Sequence, residues 1–282
     1  MRALLRTRVV VAIDATGVAG ASVSGGPGAP RIRSFARAPL APGALVPGPF
    51  DPNVVRVAEV QRALGEVAAG LEGGRGPVAL ILPDGVARTA LLEVPAGVTA
   101  REFARYRITP GLPYGPDEAL VDVLPVDGGR VLAAAVRRSV IEGYEAVASA
   151  AGLDIERLDL APLAALSALA RAPRGTAVSV DVILGDRAVS LAAWQGGVLH
   201  VFRTRLRDSG PREPLWLARE VDRTAVLAGN GSAPRIRAVG PGAVALLRAW
   251  GDEGRAGEPG WRAEGTLPVE AAEMAWLGAA LA

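Results

Sequence analysis

Hydrophobic residues along this chain fall into short runs, and two regions contain three such runs in close succession. Within each region the apolar and β-branched runs are separated by turns rich in Gly, Asp or Pro, which is typical of three strands joined in sequence. The strands predicted in this way are Arg8–Ile13, Val18–Ser24, Arg31–Ala36, Ala177–Leu184, Arg187–Trp194 and Val198–Arg205. Two regions of the chain therefore begin with the same three-strand unit.

A segment with helical spacing follows each unit. In Val54–Leu71 apolar residues recur every three or four positions, which predicts one buried helical face, and Glu213–Ala228 is comparable. The other predicted strands are Val78–Leu82, Arg88–Val94, Ala119–Val126, Arg130–Val136, Ile155–Leu160 and Arg235–Val239. The other predicted helices are Thr99–Ile108, Arg138–Ala151, Pro162–Ala170, Ala243–Trp250 and Pro268–Leu281. Gly251–Gly260 is predicted to be a polar loop.

The repeated order of elements indicates an internal duplication. Two α/β lobes that each open with three antiparallel strands are typical of the actin-like (ribonuclease H-like) two-lobed fold. In that fold the first hairpins of the two lobes face each other across a nucleotide cleft. We expect the first turn of each lobe to carry an Asp, namely Asp14 and Asp181.

Composition excludes several kinds of chemistry. The formal net charge of +2 is too small to indicate nucleic-acid binding, and every basic residue is Arg. With no Cys and the single histidine His200, the chain offers neither a disulfide nor a Cys/His zinc site. No Ser/His/Asp set can be assembled around one His, so we predict no metal and no catalytic residue.

The apolar runs are short. Asp14 ends the run Val9–Ile13, which is shorter than the about 7–15 residues of a signal-peptide core. Charged residues or Pro interrupt the other runs before they reach the about 20 apolar residues of a transmembrane helix. We therefore expect a cytoplasmic protein.

Several longer segments resemble the PilM family of type IV pilus assembly proteins. "SFARAPLAPGALVPG" and "GPVALILPDGVARTALLEVP" are similar to the approach to the family's first long helix and to its strand–Pro-Asp–strand stretch. "YRITPGLPYGPDEALVDVLPV" resembles its Leu-Pro-aromatic loop before a hairpin. "RVLAAAVRRSVIEGYEAVASAAGLDIERLDLAPLAALSAL" follows its hairpin strand, long helix and returning strand. The resemblance is strongest over Phe35–Leu169.

This resemblance implies a domain scheme. Residues 1–96 and 154–175 would form the first lobe, subdomain 1A. Residues 97–153 would form an inserted subdomain of the 1C type, and residues 176–282 the second lobe, 2A with a reduced 2B region.

The resemblance also implies a function. The family recruits the N-terminal cytoplasmic tail of PilN in a groove between 1A and 1C, at the cytoplasmic face of the inner membrane. PilO-like proteins and pilus motor components would be further partners, and nucleic acid would not. Tyr106, Leu112 and Tyr114 are the residues here that would contact the tail, or else would only cap the small core of 1C.

The nucleotide motifs of the family are degenerate in this chain. Asp14, Thr16 and Gly17 match its first phosphate loop, but Thr16 replaces a Gly, and Ile183 lies near Asp181 where the second loop needs Gly. The remaining matches to the ATP site are Glu220, Gly240 and Gly242. We therefore expect no cofactor and no hydrolysis, with weak binding of ATP and Mg²⁺ left open.

Two alternatives remain. An active ATPase or kinase of the actin-like superfamily would need a Gly-rich second phosphate loop. The cytoplasmic part of a GspL-type secretion protein would continue into a transmembrane helix, whereas "EMAWLGAALA" resembles the closing helix of a PilM-like chain. A PilM-like scaffold of a type IV pilus or type II secretion-like platform is the favoured hypothesis.

Overall fold

A computed structural model describes residues 8–24, 31–74, 76–126, 128–170, 176–207, 210, 213–229, 234–252 and 257–259. The strands are β1 Arg8–Asp14, β2 Gly17–Ser24, β3 Arg31–Pro39, β4 Pro77–Leu82, β5 Ala87–Glu93, β6 Ala119–Pro125, β7 Arg130–Arg137, β8 Asp154–Leu160, β9 Ser179–Leu184, β10 Ala188–Gln195, β11 Val198–Leu206, β12 Arg235–Val239 and β13 Gly257–Pro259. The helices are α1 Val57–Ala69, α2 Ala100–Ile108, α3 Arg138–Ala150, α4 Ala161–Ala170, α5 Glu213–Leu227 and α6 Ala243–Asp252.

The first lobe is built on a five-stranded sheet in the order β3-β2-β1-β4-β8. The first three strands are antiparallel, while β4 and β8 run parallel to β1. Helix α1 packs Val60, Leu64 and Val67 into the main core of this lobe, and α3 adds Val140 and Tyr144 to the same core. The predicted helical stripe is thus the buried face of α1, apart from the exposed Val57.

The second lobe repeats this arrangement. Its sheet has the order β11-β10-β9-β12-β13, with an antiparallel β9–β10–β11 unit followed by two parallel strands. Helices α5 and α6 cover one face, with Val221 and Trp250 in the core. The predicted duplication is therefore present in the structure.

A third, smaller sheet has the order β5-β7-β6 and is covered on one face by α2. Its β5 strand comes from the segment before residue 97, and α3 packs on the first lobe. The predicted boundaries of the inserted subdomain stay a prediction.

A separate core cluster joins the two lobes. Leu166 and Leu169 of α4 pack against Ile183, Trp194 and Phe202 of the second sheet. Because the interior is close-packed, this contact fixes the two lobes against each other.

Two of the differences from the predicted elements have a clear structural cause. Helix α1 begins at Val57 instead of Val54, because Val54 forms an isolated antiparallel bridge with Leu45. The segment predicted as a loop after Trp250 contains β13, which pairs with β12. The predicted helix Pro268–Leu281 lies outside the described residues.

Candidate functional site

The cleft between the lobes begins at the β1–β2 turn. The Asp14 carboxylate accepts hydrogen bonds from the Thr16 amide (2.7 Å), the Thr16 hydroxyl (2.6 Å) and the Gly17 amide (3.0 Å). All three residues line a cavity of about 240 Å³ between the lobes. The hydrogen-bond donors of Thr16 and Gly17 in this turn are therefore already bonded to Asp14.

Asp186 is the acidic residue that faces Asp14 from the second lobe. It belongs to the β9–β10 turn and lines the same cavity. Burial raises the pKa of Asp186 above its ordinary value, and the nearby Asp14 charge acts in the same direction. The prediction that Asp181 has this role is wrong, because Asp181 lies inside β9.

Asp181 is fully buried in the second lobe and belongs to an ion pair. Arg237 Nε donates to Asp181 Oδ1 at 2.7 Å, and Arg237 Nη2 donates to Oδ2 at 2.8 Å. The Trp194 indole N–H donates to Oδ2 at 2.8 Å. The carboxylate therefore holds β9, β10 and β12 together, on the face of the sheet that packs against α4.

Glu220 is likewise engaged away from the cleft. It lies in the middle of α5, and its buried carboxylate pairs with Arg203 of β11 and with Arg223 (2.8 Å). Glu220 is not among the residues that line the cavity between the lobes. The structure brings this side chain to the outer strand of the second sheet.

The two predicted glycines lie beside the cleft, where the chain turns after β12. Gly240 has a φ of +102°, and a Cβ there would lie 1.9 Å from the Leu184 carbonyl oxygen, so only Gly fits. Pro241, between Gly240 and Gly242, lines the cavity. Arg207 donates to the carbonyls of Gly185 (2.7 Å) and Pro241 (3.2 Å), which links the two turns of this lobe.

Asp84, which the sequence analysis did not single out, crosses from one lobe to the other. It follows β4, and its Oδ2 accepts hydrogen bonds from the backbone amides of Ala188 (2.5 Å) and Arg187 (3.2 Å). These amides belong to the β9–β10 turn, the counterpart of a second phosphate loop. A carboxylate of the chain itself therefore occupies donors that such a loop would offer to an anion.

A larger groove, with a volume of about 870 Å³, lies between the small sheet with α2 and the first lobe. Its walls come from β6, β7 and α2 on one side and from α3, β8 and α4 on the other. Both β6 and β8 are edge strands of their sheets. The apolar side chains that line it include Leu82, Leu120, Leu124, Leu132, Leu158 and Leu163.

Charged pairs lie along both walls of the groove. Arg101 of α2 contacts Asp122 of β6 at 2.9 Å, and Arg157 contacts Asp159 on β8 at 2.8 Å. Burial raises the pKa of Asp159, and Arg157 partly opposes that shift. The groove thus combines an apolar interior with balanced charges along its walls, which suits a peptide with mostly apolar side chains.

The predicted contact residues lie around this groove and are not part of its lining. Tyr106 is 75% exposed on α2, and Leu112 packs on the small core beneath α2. Tyr114 is half-buried, and burial raises its pKa. The lining residues come from five separate segments, and no single stretch of sequence carries a signal for them.

The described residues show neither a metal cluster nor a membrane span. No group of three His, Cys, Asp or Glu side chains among them is arranged to hold a metal ion. In the same part of the chain, no helix has the length and apolar character needed to cross a bilayer.

Comparison with known proteins defines the fold. No protein-family model and no curated protein sequence matches the chain. Two lobes with this repeated sheet order have the actin-like ATPase fold, as predicted. A protein of that fold and of unknown function from Bacteroides thetaiotaomicron superposes with a TM-score of 0.59 at 9% identity, and the match covers 91% of each chain.

The structure is also similar to a chain of the PilM–PilN type IV pilus biogenesis complex. The TM-score is 0.71 at 22% identity, and the match covers 98% of each chain. The cytoplasmic domain of EpsL, an inner membrane component of the type II secretion system of Vibrio cholerae, matches with a TM-score of 0.54 at 12% identity, covering 84% of this chain and 83% of that one.

Proposed function

We propose that this protein is a PilM-like adaptor that holds the N-terminal tail of a PilN-like inner-membrane protein in the groove between the small sheet and the first lobe. The observation that carries the proposal is the groove itself, an apolar cavity of about 870 Å³ bordered by two strand edges. Its support is the fold similarity to a chain of the PilM–PilN complex over 98% of this chain.

An extended peptide fits the chemistry of this groove. A strand edge offers main-chain donors and acceptors, and an added peptide strand pairs with them while its alternate side chains enter apolar pockets. The Leu side chains of β6, β8 and α4 supply such pockets. The apolar pockets would give selectivity, whether or not main-chain pairing adds to the affinity.

Nucleotide chemistry is not part of the proposal. The Asp84 carboxylate accepts hydrogen bonds from amides of the β9–β10 turn, and the Asp14 carboxylate accepts hydrogen bonds from amides of the β1–β2 turn. Asp14, Asp84 and Asp186 would also repel a polyphosphate in the cavity between the lobes. We therefore expect millimolar ATP with Mg²⁺ to leave the melting temperature unchanged, and a clear upward shift would favour the ATPase or kinase alternative.

The adaptor role implies a location and further partners. The protein would lie in the cytoplasm and be recruited to the inner membrane by the PilN-like tail. PilO-like proteins and pilus motor components would then be indirect partners of the same platform. The subdomain scheme with 97–153 as a 1C-type insertion belongs to this proposal.

The proposal is tested with a fluorescently labelled peptide that reproduces the N-terminal cytoplasmic tail of a PilN-like protein. Leu124, 41% exposed on β6, lines the groove, whereas Leu215, 50% exposed, lies on α5 of the second lobe. We expect the Leu124→Arg variant to lose peptide binding and Leu215→Arg to retain it. Equal binding by both variants would contradict the proposal.

A further inference from the structure

The outer edge of β6 faces the groove. The main-chain groups of each β6 residue point either inward to β7 or outward to this edge. The Val126 amide donates to the Arg130 carbonyl at 2.8 Å, so the main-chain groups of Val126 point inward to the β7 side. Inward and outward main-chain groups alternate along a strand. Asp122 and Leu124 therefore pair with β7, while the amides of Val121 and Val123 point outward.

One of these outward amides is already bonded within the chain. Asp122 Oδ1 accepts a hydrogen bond from the Val123 amide at 2.9 Å, and the same oxygen accepts from Arg101 Nη2 at 2.9 Å. Pro125, the next outward position, has no amide hydrogen. Charged side chains and Pro are the means by which edge strands avoid unwanted pairing. Two successive outward positions of β6, Val123 and Pro125, thus offer no available amide hydrogen to an added strand.

The closure at Val123 can be released at little cost. The side chains of Arg101 and Asp122 are 65% and 79% exposed, and exposed ion pairs contribute little to stability. The ladder between β6 and β7 is regular, whereas the pairing of β8 with β4 has a register shift at Val78 and Ala79. Of the two edges at the groove, β6 is therefore the better template for an added strand.

We propose that the partner peptide adds to β6 as a fourth strand, and that Asp122 is a latch that must release the Val123 amide for this to happen. The inference rests on the proposed function and specifies how that groove takes its peptide. The occupant is an extended, mostly apolar peptide segment whose carbonyl accepts from Val123 N–H while Leu124 contacts its side chains. Arg101 positions the latch by holding Asp122 against the edge.

The latch is tested first in the free protein by amide hydrogen exchange. In the Asp122→Ala variant we expect the Val123 amide to exchange several-fold faster than in wild type. Asp117→Ala removes an exposed carboxylate from a 3₁₀ turn just before β6 and is the matched control. Unchanged Val123 exchange in Asp122→Ala would overturn the latch whether or not any peptide binds.

Strand addition is tested with the PilN-like tail peptide and its singly N-methylated analogues. Methylation at alternate residues should weaken binding about tenfold or more, and methylation at the residues between should have little effect. Asp122→Ala should tighten binding by about threefold to tenfold, since a net hydrogen bond is worth about that factor. Asp117→Ala should match wild type.

The outcomes separate this inference from the proposed function. If Leu124→Arg abolishes binding but N-methylation and Asp122→Ala change nothing, the peptide occupies the groove without pairing to β6, and the inference is wrong alone. If Leu124→Arg does not affect binding, or wild type does not bind, the groove assignment fails and strand addition fails with it.

Discussion

The Asp84 carboxylate of the first lobe lies 2.5 Å from the Ala188 amide of the second lobe. The same carboxylate accepts a hydrogen bond from the Arg187 amide. The Arg187 side chain of the second lobe donates in turn to the Pro47 carbonyl of the first lobe at 3.3 Å. With the apolar cluster around Leu166, these bonds tie the lobes together at the point where an actin-like fold holds phosphates. The cleft of this protein is therefore stabilised by its own side chains.

Gly185 allows the close approach of Asp84. A Cβ at Gly185 would lie 2.3 Å from Asp84 Oδ2, so Gly185→Ala should displace the carboxylate and lower the free energy of unfolding by about 1–3 kcal/mol. Gly143→Ala, in an open position on α3, should instead be stabilising by about 0.4–1 kcal/mol. Urea unfolding of the two variants checks this, and a neutral Gly185→Ala would show that the contact can relax.

The pH dependence of stability should report on Asp84. Burial raises the pKa of its carboxyl above the ordinary value of 3.8, and the Asp186 charge adds to this, while hydrogen bonds from Ala188 and Arg187 oppose it. The folded state thus holds the Asp84 proton more tightly than the unfolded state does. Its contribution to stability is complete below pH 3.8 and is lost as the pH rises through the raised pKa.

Comparison of wild type with Asp84→Asn isolates this contribution. The difference in free energy of unfolding, wild type minus variant, should decrease as the pH rises from 3.8 and then become constant. Urea unfolding at several pH values measures the difference. An increase over the same range would mean that the amide bonds outweigh burial.

Removing only one partner of the buried Asp181–Arg237 ion pair should be strongly destabilising. Arg237→Met leaves the Asp181 carboxylate buried without its cation, and we expect a loss of about 3–5 kcal/mol in the free energy of unfolding. Adding Asp181→Asn should restore much of it, because the Asn oxygen can still accept from Trp194.

Arg62→Ala is the control for that prediction. Arg62 pairs with Glu66 on the exposed face of α1, and its removal should change stability by about 0.5 kcal/mol or less. Similar losses for Arg62→Ala and Arg237→Met in thermal or urea unfolding would contradict the distinction between the two pairs.

Most of the fold could be predicted from the pattern of apolar residues. Strands such as β1 are continuous β-branched runs, and α1 carries its buried residues at helical intervals, so local physics already favours the final structure. β13 was missed because Gly257–Pro259 has no strand-like pattern and forms by pairing with β12. Tertiary pairing determines such a segment more than its own sequence does.

The candidate sites were less predictable. The position of Asp181 along the chain is that expected of a cleft residue. In the structure Asp181 lies opposite Arg237 of β12, a residue distant in sequence, and is hydrogen-bonded to it. The importance of Asp84 depends on a turn in the other lobe, and the groove brings Leu124 beside Leu158 from different segments. Single-sequence patterns carry no information on such pairings.

The most direct test of the adaptor role is a crystal structure of this protein with the tail peptide of a PilN-like protein. We expect the peptide to lie extended in the groove beside β6, between Leu124 and Leu158, with the cleft around Asp14 and Asp84 unchanged. A peptide bound at another surface, or in the cleft between the lobes, would contradict the proposal.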